Sequence, residues 1–321
     1  MPKYRDTIEA ISKIGFWLKV AAGPRFEPEV RLRRIVRILN EAPTKTLGQK
    51  TFLRSLIDNR KGYCMIPYLN EVFIFLMGLC IGSFLNVCIY RLPAAKSIVH
   101  PRSMCPNCDT LIPFYDNIPV FSYLWLKGQC RHCKIKISVR YPIVELLGGL
   151  FALAAYLKFG MGVETLIYYL FMAALLAVTF IDIDHRIIPD VISLPGIPIG
   201  FAASFALPAI TYKESLLGIL IGGGSLFLVA WLYTLLTKKE GMGGGDIKLL
   251  AMMGAVVGWQ GVLFTIFVGS LVGTLAGFAV MLKSRKGMKL AVPFGPFLSI
   301  GAIMYIFFGP QLISWYFNIL R

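Results

Sequence analysis

Long uncharged apolar runs restrict the fold of this chain more than any other feature. Leu249–Leu282, for example, is a stretch of 34 residues without a charge. A helix needs about 20 apolar residues to cross a bilayer. With 56% hydrophobic and only 16% charged residues, the chain does not match a water-soluble domain, a disordered chain or a disulfide-stapled secreted miniprotein. The sequence therefore predicts an all-α polytopic membrane protein.

The lengths of the apolar runs predict about eight transmembrane helices. Leu249–Leu282 is too long for one helix, and Gly258–Gly261 is the natural turn between two short ones. The remaining predicted spans are Val72–Tyr90, Tyr141–Leu157, Thr165–Ile181, Val191–Tyr212, Ser215–Thr237 and Leu290–Leu320.

Basic residues concentrate in alternate loops, which predicts an orientation. If the first helix runs from outside to inside, the inner loops are 91–140, 182–190, 238–248 and 283–289. They hold eight, one, three and four Lys and Arg, against Lys158, Lys213 and Arg321 outside. Because inner loops are enriched in Lys and Arg, we attribute the net charge of +16 to membrane topology rather than to nucleic-acid binding.

The first 64 residues differ from the rest of the chain. They hold 14 Lys and Arg against 6 Asp and Glu, and no apolar run long enough to span. An outward N-terminus would place this basic extension on the wrong side of the membrane. A start at Met65 removes the conflict, so we interpret 1–64 as an unusual extension or an over-extended gene start. The predicted parts are then 1–64, a first helix over 65–90, a cytoplasmic loop over 91–140 and a seven-helix domain over 141–321.

Four cysteines in the loop 91–140 form two C-x-x-C pairs. Cys105 and Cys108 lie in CPNC, and Cys130 and Cys133 lie in CRHC. Two such pairs at this separation are typical of one tetrahedral zinc ion held by four thiolates. Redox pairs or unbound thiols are the alternatives. Four protein ligands leave no open position for a catalytic water, so the predicted zinc site is structural.

Acidic residues are scarce in the apolar part and fall into two groups. Asp182, Asp184 and Asp190 lie in IDIDHRIIPD, at the inner end of the third predicted span. Asp246 lies in GMGGGDIK, at the inner start of the sixth. The topology therefore places both groups at one membrane face. Two carboxylates close together near a low-dielectric boundary cannot both ionise cheaply and are expected to share a proton, which suits aspartyl proteolysis.

Structural roles compete with catalytic ones for the neighbouring polar residues. Asp190 follows a proline and precedes an apolar helix, so we interpret it as a helix N-cap. Asp184 is either a partner of the catalytic pair or simply solvated. Glu145 is expected to pair with a loop arginine such as Arg140. Lys248 either biases the ionisation of Asp246 or anchors the helix end at the interface.

At this point the motifs resemble those of the bacterial prepilin peptidases, also called type IV leader peptidases. The likeness covers about residues 65–310, and its blocks occur in the family's order and spacing. They are GSFLNVCIYRLP (82–93), CPNC with NIPVFSYLWLKGQCRHCKIKISVRYPIVE (within 105–145), DIDHRIIPD (182–190), GMGGGDIKLL (241–250) and PFGPFL (293–298).

The resemblance implies an eight-helix aspartyl protease of the GxGD type in the bacterial cytoplasmic (inner) membrane. Asp246 is then the GxGD aspartate, with Gly243 and Gly245, and Asp182 is its catalytic partner. Such enzymes cleave the basic leader of type IV prepilins and pseudopilins after a glycine, at the cytoplasmic face. Many also methylate the new N-terminus with S-adenosylmethionine, and members with the four cysteines bind zinc. No residue is assigned to the methyl donor, and the oligomeric state is not indicated.

Other functions remain to be weighed against this one. A peptidase without methyltransferase activity would have the same motifs. An ion-coupled transporter would carry acids near the bilayer midplane and internal repeats, and a zinc-binding membrane scaffold would not need two acids at one face.

Overall fold

The computed structural model describes residues 66–238, 243–284 and 293–319. The predicted basic extension over 1–64 and its alternative start at Met65 lie outside the described residues. Within the described residues all extended regular structure is helical, apart from two isolated β-bridges. The helices are α1 Ile66–Arg91, α2 Phe121–Trp125, α3 Arg140–Phe159, α4 Val163–His185, α5 Asp190–Ala203, α6 Tyr212–Thr237, α7 Gly244–Ser284 and α8 Gly295–Ile319. The all-α prediction is confirmed.

Six helices of the described part are long and apolar enough to cross a membrane, namely α1, α3, α4, α6, α7 and α8. The longest, α7, has 41 residues and is interrupted at Gly258, where φ is 70° and ψ is 179°. Glycine adopts a positive φ without the steric cost that a Cβ imposes. This break lies in the turn predicted between two short helices. Counting α7 as two segments and adding the short α5 gives the predicted eight apolar segments.

The helix α5 is shorter than its apolar sequence predicts. The run Val191–Tyr212 predicts a full span, but α5 has 14 residues and ends at Ala203. At about 1.5 Å per residue it is about 21 Å long, less than the hydrocarbon thickness of about 30 Å. Pro195 and Pro198 lie inside it and remove backbone donors, which weakens its helical hydrogen bonding.

The helix α4 lies at the centre of the main apolar core. Its residues Met172 and Val178 are fully buried and pack with Leu249 and Met253 of α7 and with Leu298 of α8. The C-terminal end of α4, which carries aspartates of the first acidic group, therefore lies against the starts of α7 and α8. This packing brings the two predicted acidic groups to the same end of the bundle.

The helices α1 and α3 bracket the cysteine loop and pack together where it begins and ends. Asn86 of α1 donates a hydrogen bond from Nδ2 to the carbonyl oxygen of Tyr141 at 3.0 Å. A second cluster joins Leu85 and Val144 of these helices to Ile181 of α4. The loop therefore emerges beside the end of α4.

At the opposite end of α3, Lys158 contacts a proline-containing turn of α8. Its Nζ donates to the carbonyl oxygens of Ile306 and Phe307, both at 2.5 Å. Pro310 lies inside α8 and has no N–H to donate to the oxygen four residues earlier. The ammonium group of Lys158 therefore satisfies the carbonyl of Ile306 that Pro310 leaves without a helical partner.

We expect Lys158→Met to lower the stability of the protein by roughly 1–3 kcal/mol, because the carbonyl of Ile306 loses its donor. The same substitution in a Pro310→Ala background should cost much less, since an alanine at that position restores the helical N–H. Thermal unfolding of the native protein, the two single variants and the double variant in one detergent measures the coupling between Lys158 and Pro310. Equal losses in both backgrounds would contradict the compensation.

Candidate active site and cysteine centre

Asp182 lies in the last turn of α4, which ends at His185 and is capped by Arg186 in a left-handed conformation. Its side chain is buried, with the residue only 5% exposed. The carboxylate oxygen Oδ2 accepts a hydrogen bond from the backbone N–H of Gly295 at 3.0 Å. Because Gly295 begins α8, the carboxylate of Asp182 faces the partial positive charge of a helix N-terminus.

Asp246 lies in the first turn of α7 and is half-buried. Asp246 follows Gly245, and a Cβ added at Gly245 would lie 3.0 Å from the Cβ of Ile188, in the turn after α4. A Cβ added at Gly295, which binds Asp182, would lie 3.6 Å from Cδ1 of the same isoleucine. The structure therefore brings together the two aspartates that the sequence placed at one membrane face.

The packing explains one predicted glycine of the GxGD motif but not the other. A Cβ at Gly245 would lie 3.0 Å from the Cβ of Ile188, so a side chain there would press on the turn after α4. A Cβ at Gly243 would have no heavy atom within 4 Å. A role for Gly243 beside a bound peptide remains a prediction.

Gly295 lies close to the carboxylate of Asp182. A Cβ on this residue would lie 2.7 Å from Oδ2 of Asp182 and 3.6 Å from Cδ1 of Ile188. Since the first distance is shorter than Cβ contacts in real proteins, any larger residue must displace the carboxylate of Asp182. The absence of a side chain at Gly295 thus leaves room for the carboxylate of Asp182, which the N–H of Gly295 holds in place.

The predicted supporting residues Asp184 and Lys248 form ion pairs with other residues and not with the two central aspartates. Asp184 forms an ion pair with Arg140. Lys248 donates from Nζ to both carboxylate oxygens of Asp190, at 2.8 and 2.9 Å. The prediction that Asp190 is an N-cap is wrong: Pro189 occupies that position, and Asp190 is the first helical residue, with its side chain on Lys248.

Glu145 has a different partner from the one expected. It does not pair with Arg140, which binds Asp184. Instead its Oε2 accepts a hydrogen bond from the backbone N–H of Val120 at 2.7 Å. Glu145 is buried in α3, so this bond ties the cysteine loop to the membrane helices.

The four predicted cysteine ligands converge on one point. The sulfur atoms of Cys105, Cys108, Cys130 and Cys133 all lie within 4.8 Å of one another, and those of Cys105 and Cys133 are 3.7 Å apart. Thiolates around a tetrahedral zinc ion, each about 2.3 Å from the metal, are about 3.8 Å apart. The donor set and spacing fit one zinc ion with four protein ligands.

The two cysteine turns have matching backbone hydrogen bonds. Cys105 donates its N–H to the carbonyl oxygen of Thr110 at 3.0 Å, and Cys130 donates to that of Ile135 at 2.9 Å. Each bond closes a tight turn around a C-x-x-C pair. This repetition aims both pairs of sulfurs at a common centre.

A salt bridge holds the second cysteine turn against the rest of the loop. Arg131 donates from Nε and Nη2 to the two carboxylate oxygens of Asp116, at 2.6 and 2.5 Å. These hydrogen bonds from Arg131 hold the pKa of the Asp116 carboxyl below its usual value. Arg131 also lies over the ring of Tyr115, 5.6 Å from its centroid.

Family models match both halves of this arrangement. The bacterial peptidase A24 N-terminal domain matches residues 76–159, which include the cysteine loop. The type IV leader peptidase family matches residues 169–278, which include both aspartates. The chain belongs to the type IV leader peptidase family. The resemblance inferred from the sequence motifs is thereby confirmed.

Curated relatives of this leader peptidase family member align over most of its length. A prepilin leader peptidase/N-methyltransferase of Aeromonas hydrophila is 36% identical over 275 residues, covering 78% of this chain and 95% of the relative. One from Pseudomonas aeruginosa is 40% identical over 266 residues, covering 75% of this chain and 91% of the relative. No solved structure matches the chain.

Sequence reasoning missed the contacts that hold the leader peptidase aspartates in place. Gly295 lies in PFGPFL and Ile188 in DIDHRIIPD, both of which supported the family resemblance. Neither residue was assigned to the site, because a glycine and an isoleucine carry no catalytic group. The only sign of these residues in the sequence was that the motifs around them resemble those of the family.

Proposed function

We propose that the chain is a prepilin peptidase that cleaves the basic leader of type IV prepilins and pseudopilins after a glycine. The observation that carries this proposal is the placement of Asp182 and Asp246 at the adjoining ends of α4, α7 and α8, where Gly295 binds Asp182 and both Gly245 and Gly295 lie beside Ile188. Relatives named prepilin leader peptidase/N-methyltransferase supply the substrate class and the second activity.

The two carboxyl groups act as an acid–base pair in the proposed cleavage. One of them is ionised and takes a proton from a water molecule, which attacks the carbonyl carbon of the scissile bond. The other is protonated and donates a hydrogen bond to the carbonyl oxygen, on which negative charge develops. When the tetrahedral intermediate collapses, the C–N bond breaks and the proton taken from water passes to the nitrogen of the leaving amine. The donor at Gly295 holds the carboxylate of Asp182 in a fixed position throughout.

The position of the pair in the bundle suits this substrate. Both aspartates lie at helix ends, on the same side as the cysteine loop, because Asp184 of α4 pairs with Arg140 at the start of α3. A prepilin whose apolar segment lies in the membrane would present its cleavage site at that depth. The excess of Lys and Arg in the same loops supports a cytoplasmic position for this side. Acids at helix ends do not suit an ion-coupled transporter, which needs them near the midplane.

Methylation of the newly formed N-terminus is the second proposed activity. S-adenosylmethionine would supply the methyl group, and its binding residues are not assigned. The cysteine centre would bind zinc as a structural ion, since all four positions around a tetrahedral metal are occupied by thiolates. No step of the cleavage passes through that metal.

The full-length protein in detergent, mixed with a prepilin-like peptide and S-adenosylmethionine, tests both activities. Mass spectrometry should detect cleavage after the leader glycine and an added methyl group on the new N-terminus. Cleavage without methylation would reduce the function to a peptidase. Failure to cleave any type IV prepilin by a folded protein would contradict the proposal.

Gly295→Ala should lower kcat/KM for prepilin cleavage by about 10²-fold, because a displacement of about 1 Å at a reacting group has an effect of this size. The reason is the 2.7 Å approach of a Cβ to Oδ2 of Asp182. Gly277→Ala is the matched control, since a Cβ there meets no heavy atom within 4 Å. Equal activity of the two variants would contradict the proposed fixing of Asp182.

A further inference from the structure

The cysteine loop exposes a cluster of large apolar side chains around the short helix α2. They are Ile118, Phe121, Leu124 and Trp125, with exposed fractions of 49%, 61%, 68% and 73%. The rings of Phe121 and Trp125 stack with their centroids 6.4 Å apart and their planes 19° from parallel. We refer to these four residues as the apolar face of α2.

The opposite side of α2 packs inward on the loop. Ser122 is buried and donates its hydroxyl to the carbonyl oxygen of Tyr115 at 3.1 Å. Tyr123 donates its hydroxyl to the carbonyl oxygen of Ile137 at 3.3 Å. The orientation of α2 is therefore fixed by its inner contacts, which leaves the apolar face pointing away from the loop.

The bond between Val120 and Glu145 sets the depth of this face relative to the membrane. The helix α3 has 20 residues, so at about 1.5 Å per residue it is about as long as the hydrocarbon core is thick, about 30 Å. Glu145 is the sixth residue of α3, about 7 Å along its axis from Arg140. With α3 spanning the hydrocarbon core from end to end, the hydrogen bond from the N–H of Val120 to Oε2 of Glu145, with N and O 2.7 Å apart, would hold the start of α2 near the boundary of the bilayer.

The charge of the loop agrees with a lipid surface. Residues 91–140 contain eight Lys and Arg against two Asp and Glu, and one of those acids, Asp116, is paired with Arg131. Lys127 is exposed two residues after Trp125. Basic groups are attracted to anionic headgroups, and aromatic side chains favour the interface.

We propose that the apolar face of α2 inserts into the interface of the membrane, where anionic lipid headgroups contact the basic residues of the loop. The cysteine loop is then a surface-anchored element and does not extend freely into the aqueous phase. This inference is independent of the proposed cleavage, because it rests on exposure, depth and charge alone.

Photo-crosslinking of the full-length protein tests this anchoring. Trp125 is replaced by p-benzoylphenylalanine, and the protein is placed in nanodiscs of phosphatidylcholine with phosphatidylglycerol. Asn107 is the matched control site, since it is exposed in the same loop but lies in the first cysteine turn. After illumination, intact-mass spectrometry should show a phospholipid adduct on the variant substituted at position 125. The variant substituted at position 107 should show a much lower yield of that adduct.

Three further outcomes decide the proposal. A lower yield of adduct at position 125 in nanodiscs of phosphatidylcholine alone would support the contribution of the basic residues. No lipid adduct at position 125, or an adduct with a second copy of the chain, would overturn the anchoring. Replacement of the lipid adduct by a peptide adduct on addition of a prepilin-like peptide would identify the face as a substrate surface instead. None of these results depends on cleavage or methylation by the protein.

Discussion

Asp246→Asn is expected to reduce cleavage of a prepilin-like substrate by about 10²–10⁴-fold, the range that a positioned acid or base contributes. Asp182→Asn should have an effect of the same size. An amide has nearly the shape of a carboxyl group but neither accepts a proton from water nor carries an acidic one. A single amide therefore removes one member of the pair without emptying the space between α4, α7 and α8.

The structure indicates that these variants remain folded. In Asp182→Asn the amide oxygen can still accept the hydrogen bond that Gly295 donates in the native protein at 3.0 Å. Asp246 is only half-buried, and its replacement by the neutral asparagine places no new charge in the interior. Thermal unfolding close to that of the native protein should accompany the loss of cleavage.

Glu164→Gln is the matched control for the aspartate substitutions. Glu164 lies in the first turn of α4, at the opposite end of the helix that carries Asp182. The same change from acid to amide is made on the same helix, far from the proposed pair. Native cleavage by this variant is expected. Appreciable cleavage by Asp182→Asn or Asp246→Asn would remove that residue from the catalytic role.

The membrane fold was largely predictable because its main determinant is one-dimensional. Uncharged runs such as Leu249–Leu282 indicate spanning helices by length, and Gly258 marks the break within this one. The length of α5 was not predictable in this way. Hydropathy does not register that Pro195 and Pro198 weaken a helix, so the run Val191–Tyr212 has the length of a span without forming one.

The site was predictable where chemistry and spacing are local, and less so where contacts are distant in sequence. The two C-x-x-C pairs carry their own geometry, and the aspartates are conspicuous among apolar residues. The partners of Glu145 and Asp184 were misjudged because Arg140 is near Glu145 in the sequence but binds Asp184, 44 residues away along the chain. Charge alone did not decide between them, whereas the packing of α3 against α4 places Arg140 on Asp184.

Replacement of Cys105 and Cys108 by serine is expected to abolish zinc binding by the purified protein. Two of four thiolates would remain, and a hydroxyl is a poor substitute for a thiolate as a zinc ligand. Binding at structural zinc sites is worth about 10–16 kcal/mol in small zinc-dependent domains, so the loss should be complete rather than partial. Metal analysis should fall from one zinc ion per chain to none.

Cys80→Ser is the matched control for the cysteine substitutions. Cys80 lies in α1, exposed and outside the loop, so its loss should leave the zinc content unchanged. An unaltered zinc content in the variant that lacks both Cys105 and Cys108 would refute the four-cysteine site. Loss of zinc from the Cys80 variant would point instead to general unfolding.

Hydrogen exchange should show that the zinc ion orders the loop rather than the bundle. The turns around Cys105 and Cys130 are closed by single backbone bonds, and extended apolar core surrounds α4 rather than these turns. Without metal, the amides of the two cysteine turns, residues 105–110 and 130–135, should lose protection, because the sulfurs no longer hold the turns together through the ion. The amides of α4 should keep theirs. Retained attachment of the loop through Val120 and Glu145 would then limit its opening to the cysteine turns, leaving α2 at the membrane.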